Sequence, residues 1–339
     1  MNVDNFTSMF TQHLLDRFNP PQTLRTPGPA GVLNFGGAVV AEPDPLNGSP
    51  WNDPALSAML GYAANAKDSA SGQNNARQAT APSPWSIWAE AGYTPFAQYG
   101  QAATKGGLGL SMAAVEYQSP NSVLVGVAVA YENQRFNTSY NGGFFRASGA
   151  IVGPYAAVQL TPNILAHVWA GTGFLNYSAS DGIGAGSFKA QRYFVLGTIA
   201  GMWQFDHWRF SPRAGVLYLS ERQDGFTDTT GLLIPGATVT TAKILVGPEI
   251  GYLVALPASP VILEPYGYLA LECNLVGRNS YSLANGAVVA DQACNGRVGP
   301  GLKIYGEAGL SGGVSATYNS LGVANQNAWT IQGRVTKEF

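Results

Sequence analysis

The chain of 339 residues has three histidines, His13, His167 and His207, and two cysteines, Cys273 and Cys294. General acid–base or nucleophilic catalysis needs a titratable group held beside the reacting atoms, so these positions and the carboxylates near them are where chemistry would be sought. Asp206 and His207 are adjacent, an acid and a base that a hydrolase could use to activate water. They stand in a turn bounded by aromatic runs, however, and a solvated turn is the favoured reading. Neither a G-x-S-x-G elbow nor a metal-spaced His or Cys cluster occurs, so the sequence points to no catalytic residue, no metal and no cofactor. The cysteines leave two readings open: one bridge closing a surface loop of an exported protein, or two free thiols.

A second set of charged residues is informative through its spacing. Glu132, Arg209, Arg213, Glu249, Glu264, Glu272 and Arg334 each sit in a segment of alternating character. In the third segment Val123, Val125, Val127, Val129 and Tyr131 share one face, and Gly126, Ala128, Ala130 and Glu132 share the other. The seventh sets Trp208, Phe210, Ala214, Val216 and Tyr218 against Arg209, Ser211, Arg213 and Glu221; the eighth sets Ile244, Val246, Ile250 and Val254 against Glu249. The last sets Trp329, Ile331 and Val335 against Gln332 and Arg334, while the second and fifth alternate too weakly for their faces to be assigned. Period-two alternation is the mark of a strand with unlike faces. An apolar outside and a small, polar inside suit lipid around a wall and water within it.

Composition agrees with that reading. Charged residues make up 11% of the chain, under half of the ~25% usual in a soluble domain, with 42 glycines. Net charge is −2 and no basic cluster occurs, which excludes a nucleic-acid partner on electrostatic grounds. The longest clean apolar run, residues 123–131, is far short of the ~20 residues of a membrane helix but close to the ~9 to 11 of a tilted transmembrane strand.

The chain divides near residue 84. Residues 1–84 are rich in linker features such as Pro20-Pro21, Pro27, Pro29 and Glu42-Pro43-Asp44-Pro45, interrupted by two helical patches at 4–18 and 53–66. The first spaces Phe6, Met9, Phe10, Leu14 and Phe18 at intervals of three and four behind Asp4, an N-cap. Residues 85–339 parse into twelve segments: 85–96, 106–118, 122–137, 143–160, 164–179, 188–205, 208–226, 239–255, 261–275, 297–305, 309–321 and 328–339. Turns at 119–121, 161–163 and 206–207 read as short, and those at 182–187, 229–239 and 277–296 as long. Outer-membrane barrels keep short turns in the periplasm and long loops outside, and an even strand count returns the C-terminus to the periplasm. The expected fold is therefore an all-β membrane protein, a closed antiparallel transmembrane β-barrel of about twelve strands. Residues 1–20 contain no apolar secretory core, so an exported precursor is expected to extend upstream of Met1.

The order of several short tracts resembles the autotransporter β-domain, the translocator barrel of type V secretion. That family begins at a Trp-rich strand and ends in an aromatic terminal strand, positions held here by Trp85, Trp88, Gly92 and Tyr93 and by Phe339. Between them, Arg213 to Tyr218 with Asp224-Gly225-Phe226-Thr227, and then Pro265-Tyr266-Gly267-Tyr268-Leu269, are similar to the family's recurrent strand tracts. Phe10 to Arg17 resembles its amphipathic pre-barrel segment.

The resemblance implies a Gram-negative outer-membrane barrel, monomeric, with a helix in its lumen linking the first strand to a passenger absent from this chain. Segment 4–18 is placed there, with 53–66 as its rival. It further implies no enzymatic role, contact with outer-membrane lipid and lipopolysaccharide, and recognition by the barrel-assembly machinery through Trp329, Ile331, Val335 and Phe339. The inward charged set would either hydrate the lumen and hold the helix or form a generic polar pore lining. Some members are cut between two asparagines; Asn74-Asn75 lies in a polar linker, and ordinary linker is the favoured reading. A free-standing pore and an outer-membrane hydrolase remain the alternative functions.

Overall fold

A computed structural model describes residues 4–18, 21, 84–100, 103–120, 122–257, 259–276, 280–282, 288–290 and 294–339. Among the described residues one helix, α1 (Asp4–Phe18), precedes the barrel strands β1 (Trp85–Gln98), β2 (Thr104–Ser119), β3 (Val123–Thr138), β4 (Gly143–Thr161), β5 (Ile164–Ser180) and β6 (Ala185–Gly201). The other six are β7 (Trp208–Gln223), β8 (Ala237–Tyr252), β9 (Ile262–Val276), β10 (Cys294–Tyr305), β11 (Leu310–Leu321) and β12 (Gln326–Glu338). The helical patch expected at 53–66 lies outside the described residues.

Each strand pairs antiparallel with its neighbours in sequence, and β1 pairs with β12 from Ser86↔Glu338 to Gln98↔Gln326. The sheet thus closes on itself, twelve strands round, and no barrel strand leaves an edge unpaired. A membrane-spanning sheet requires this, since an open edge would leave N–H and C=O groups without partners in hydrocarbon. Among the described residues no helix is long and apolar enough to cross a membrane.

Alternation becomes a division between inside and outside. On β3, Val125, Val127, Val129 and Tyr131 are each about half exposed, whereas Ala128, Ala130 and Glu132 are buried. On β7 the contrast is sharper, with Trp208 at 55% and Arg209 at 1%. The two strands with weak alternation also resolve: β2 turns Met112 and Glu116 inward and Val115 outward, and β5 turns His167 and Trp169 inward and Phe174 outward. Their patterns are blurred because the inward face carries large apolar side chains.

Two loops at one end of the barrel are long, 224–236 and 277–293, each containing a short two-stranded ribbon. The connection expected to be long at 182–187 is instead a four-residue turn, 181–184, because β5 and β6 stay paired as far as Ser180↔Ala185. Asp181 Oδ1 closes that turn by accepting the backbone N–H of Ile183 and Gly184 at 2.9 and 2.8 Å. Gly186 continues the ladder opposite Ala179, and the Phe226 ring occupies the space a side chain would take there, 2.3 Å from an added Cβ. The sixth segment is also interrupted: β6 stops at Gly201, and Trp203–Phe205 forms a separate piece paired with Trp208 to Phe210 across Asp206-His207.

Candidate functional site

The lumen is the candidate site. The C-terminal half of α1 lies inside it, and its contacts reach round the wall. Thr11 Oγ1 is 2.8 Å from His167 Nε2 on β5, and His13 Nε2 is 2.9 Å from Glu116 Oε1 on β2. Asp16 faces a basic sector formed by β7, β10 and β12: Arg334 at 3.1 Å, Arg209 at 3.6 Å and Lys303 at 3.9 Å, with the Tyr305 hydroxyl donating at 3.1 Å. The next residue, Arg17, faces acids, at 2.6 Å from Glu338 and 3.8 Å from Glu116. Neighbouring side chains on a helix diverge by about 100°. Opposite charges at 16 and 17 therefore set rotation and depth together, since turning or sliding α1 would bring like charges together.

All of these partners lie within a few residues of the short-turn end of their strands, so α1 fills that end of the lumen. Leu14 and Leu15, both fully buried, pack into an apolar cluster with Trp88, Leu124, Leu165 and Trp169. This corrects the expectation of a uniformly small, polar, hydrated interior. Where the wall faces Leu14 and Leu15 it is as apolar as a protein core, because a packed interface yields more burial than a water-filled gap.

Glu116 is the densest node. It accepts the Ser86 hydroxyl at 2.6 Å, the Tyr155 hydroxyl at 2.7 Å and the His13 ring. The Thr336 hydroxyl lies 3.4 Å from the other ring nitrogen, His13 Nδ1. Tyr155 reaches inward across Gly126, where an added Cβ would fall 2.4 Å from the ring. The Trp88 indole N–H completes the cluster by donating to the Tyr155 hydroxyl at 3.0 Å.

The inward charged residues also pair with one another, beginning at the level of the helix contacts. Lys303 bridges Glu249 at 2.6 Å and Glu264 at 3.3 Å, and Arg209 donates to Glu264 at 2.6 Å. Arg213 lies 3.7 Å from Glu249 and 4.3 Å over the Tyr268 ring. Further towards the long loops, Arg192 joins Glu132 at 2.8 Å and Glu221 at 2.5 Å, while Glu272 holds Lys243 at 2.8 Å and Arg297 at 3.7 Å.

Of the seven lumen residues expected from the sequence, Arg209 and Arg334 thus touch the helix directly. Glu264 and Glu249 stand behind them, and Glu132, Arg213 and Glu272 brace the wall. Sequence reasoning passed over Asp16, Glu116, Lys303 and Tyr305. Asp16 and Arg17 were marked only as part of an amphipathic segment, and the Gly-rich run of β10 hides the inward position of Lys303.

The remaining expected residues lie elsewhere. Cys273 and Cys294, opposite one another at the long-loop ends of β9 and β10, form a disulfide. Trp329, Ile331 and Val335 share the outward face of β12, and exposed Phe339 ends the chain. Asp206 and His207 form a 2.8 Å pair in their turn, the imidazole stacked on Tyr252 at 5.6 Å, at the opposite end from the long loops.

A closed twelve-stranded barrel with lipid-suited residues outside and an ion-paired helix inside defines a membrane translocator barrel. Residues 87–323 match the model of the autotransporter beta-domain family. The chain belongs to that family. Solved structures agree in fold. The translocator domain of the autotransporter NalP from Neisseria meningitidis is 12% identical, covering 76% of this chain and 89% of that one, with a TM-score of 0.63. The beta domain of the Bordetella autotransporter BrkA is 15% identical over 76% and 100%, with a TM-score of 0.61. The transport unit of AIDA-I from Escherichia coli is 12% identical over 79% and 93%, with a TM-score of 0.57. Comparison with curated protein sequences finds no match.

Proposed function

We propose that this translocator barrel sits in the outer membrane of a Gram-negative bacterium, with its short turns in the periplasm. There it anchors a passenger joined upstream of α1 and passes it to the cell surface. The observation that carries this reading is the seating of α1: its charged end is tied to the wall at the short-turn end, so the chain preceding it is directed up the lumen towards the long loops. On this reading residues 85–339 are the translocator domain, monomeric in lipid, and residues 1–84 are a lumen helix followed by a linker. The outward row Trp329, Ile331 and Val335 with Phe339 is the surface offered to the barrel-assembly machinery. The ion pairs of the lumen, which hold its charged groups against one another and against the helix, support a transport role without covalent chemistry.

The test is surface display. The full chain, fused behind an export signal and an epitope-tagged reporter placed before Met1, should render the tag sensitive to protease added to intact cells. A tag that becomes accessible only after the outer membrane is permeabilised would overturn the proposal.

A further inference from the structure

On the outer wall the charged residues follow a rule of their own. Every carboxylate on a described barrel strand is turned to the lumen, yet Lys105, Arg135, Arg146 and Lys189 are exposed on the outside, all near the long-loop ends of β2, β3, β4 and β6. Arg135 and Arg146 are direct cross-strand partners. Like charges so placed repel, which costs stability unless an anion lies between them. None of the four forms an ion pair with a described residue; Arg146 lies only over the Phe144 ring, at 4.7 Å.

Register fixes their height. Tyr131 and Phe174, both exposed, lie in one row across β3, β4 and β5 through Ala150. Exposed aromatic residues at that level mark the boundary between hydrocarbon and headgroups. The next outward row is polar, running Asn133, Ser148, Asn176 and Lys189, and Arg135 and Arg146 stand one row higher. Four residues of strand rise by ~13 Å, or ~10 Å of height after a tilt of ~40°. Arg135 and Arg146 therefore stand at the depth of lipid phosphates, above a row of amides and hydroxyls suited to sugar or ester oxygens.

We propose that this face of β2 to β6 is a docking site for a phosphate-bearing lipid of the outer leaflet, with the Arg135 and Arg146 guanidiniums as the phosphate clamp. Arginine forks bind phosphate oxygens in pairs, and one phosphate between the two relieves their repulsion. The inference rests on the outer-membrane reading above, because it requires the long-loop end to face the outer leaflet.

The full chain, purified in a neutral detergent, is titrated with diphosphoryl lipid A, phosphatidylcholine or inorganic phosphate, and retained lipid is read by native mass spectrometry. The wild type should retain diphosphoryl lipid A in preference to phosphatidylcholine. The double variant R135Q/R146Q should lose at least about tenfold in apparent affinity, and R135K/R146K should lose less, since it keeps charge but not the paired geometry. K337Q, at the opposite end, should bind as the wild type does. Unchanged binding by R135Q/R146Q, equal retention of phosphatidylcholine, or displacement by millimolar inorganic phosphate would overturn the docking site. Heat-modifiable migration of each protein is followed in parallel. Its absence in the wild type would count against the membrane barrel itself, whereas its presence with unchanged lipid binding sinks the docking site alone.

Discussion

Asp16 Oδ2 lies 3.1 Å from Arg334 Nη2, joining residues 318 positions apart across the inside of the barrel. The same carboxylate also faces Arg209, Lys303 and the Tyr305 hydroxyl, so the end of α1 is held by groups from three strands.

Replacing Asp16 with Asn should therefore loosen the helix and leave three cations short of an anion. Removing one partner of a buried pair costs about 3–5 kcal/mol. In planar bilayers the D16N protein should open more often and for longer than the wild type, and R334Q should do the same. The double variant should fall short of the sum of the two, since both act on one contact. Conductance traces indistinguishable from wild type would mean that α1 is not what blocks the pore.

Glu116 supports the opposite side of the helix. Tyr155→Phe removes one donor and should lower stability by about 1 kcal/mol, whereas Glu116→Leu strands the Ser86, Tyr155 and His13 donors together and should cost several times as much. The check is the temperature at which the folded band is lost in heat-modifiability gels. Equal effects for the two variants would contradict the shared-node arrangement.

The disulfide between Cys273 and Cys294 closes a loop at sequence separation 21. A loop of that size contributes about 3 kcal/mol by restricting the unfolded chain. The C273S/C294S protein should unfold at lower urea than the oxidised wild type, and reductant should shift the wild-type midpoint to that of the variant without moving the variant itself.

Asp228 shapes the 224–236 loop. The Thr230 hydroxyl, with backbone N–H groups of residues 230 to 232, holds its carboxyl below the ordinary value. A depressed folded-state value means that the contribution is complete above about pH 4 and fades as acid titrates through the lower value. Loop amide signals in detergent should be steady from pH 8 to 5 and change only in stronger acid. In D228N they should resemble the acid form at neutral pH.

The barrel was legible from the sequence because lipid and lumen demand opposite side chains at successive positions, as Val127 beside Ala128 and Trp208 beside Arg209 illustrate. Strand limits followed from the same contrast. What alternation could not disclose is which inward residue meets which. Glu116, His13, Lys303 and Asp16 converge from distant parts of the chain, and such meetings depend on tilt and closure, which leave no local trace. The turn at 181–184 was misjudged for a related reason. Gly182, Gly184, Gly186 and Ser187 have the composition of a loop, but Gly186 and Ser187 are paired in the ladder, and the glycine at 186 makes room for the Phe226 ring, more than thirty positions onward. The apolar packing against Leu14 and Leu15 escaped because a rule of polar interiors holds for empty channels and fails where a helix fills the bore.

The seam between β1 and β12 has a consequence for biogenesis. The final thirteen residues of strand must arrive before the cylinder can shut, and those same residues supply Arg334, Thr336 and Glu338 to the helix. Closure of the wall and these three holds on the helix thus depend on one and the same strand.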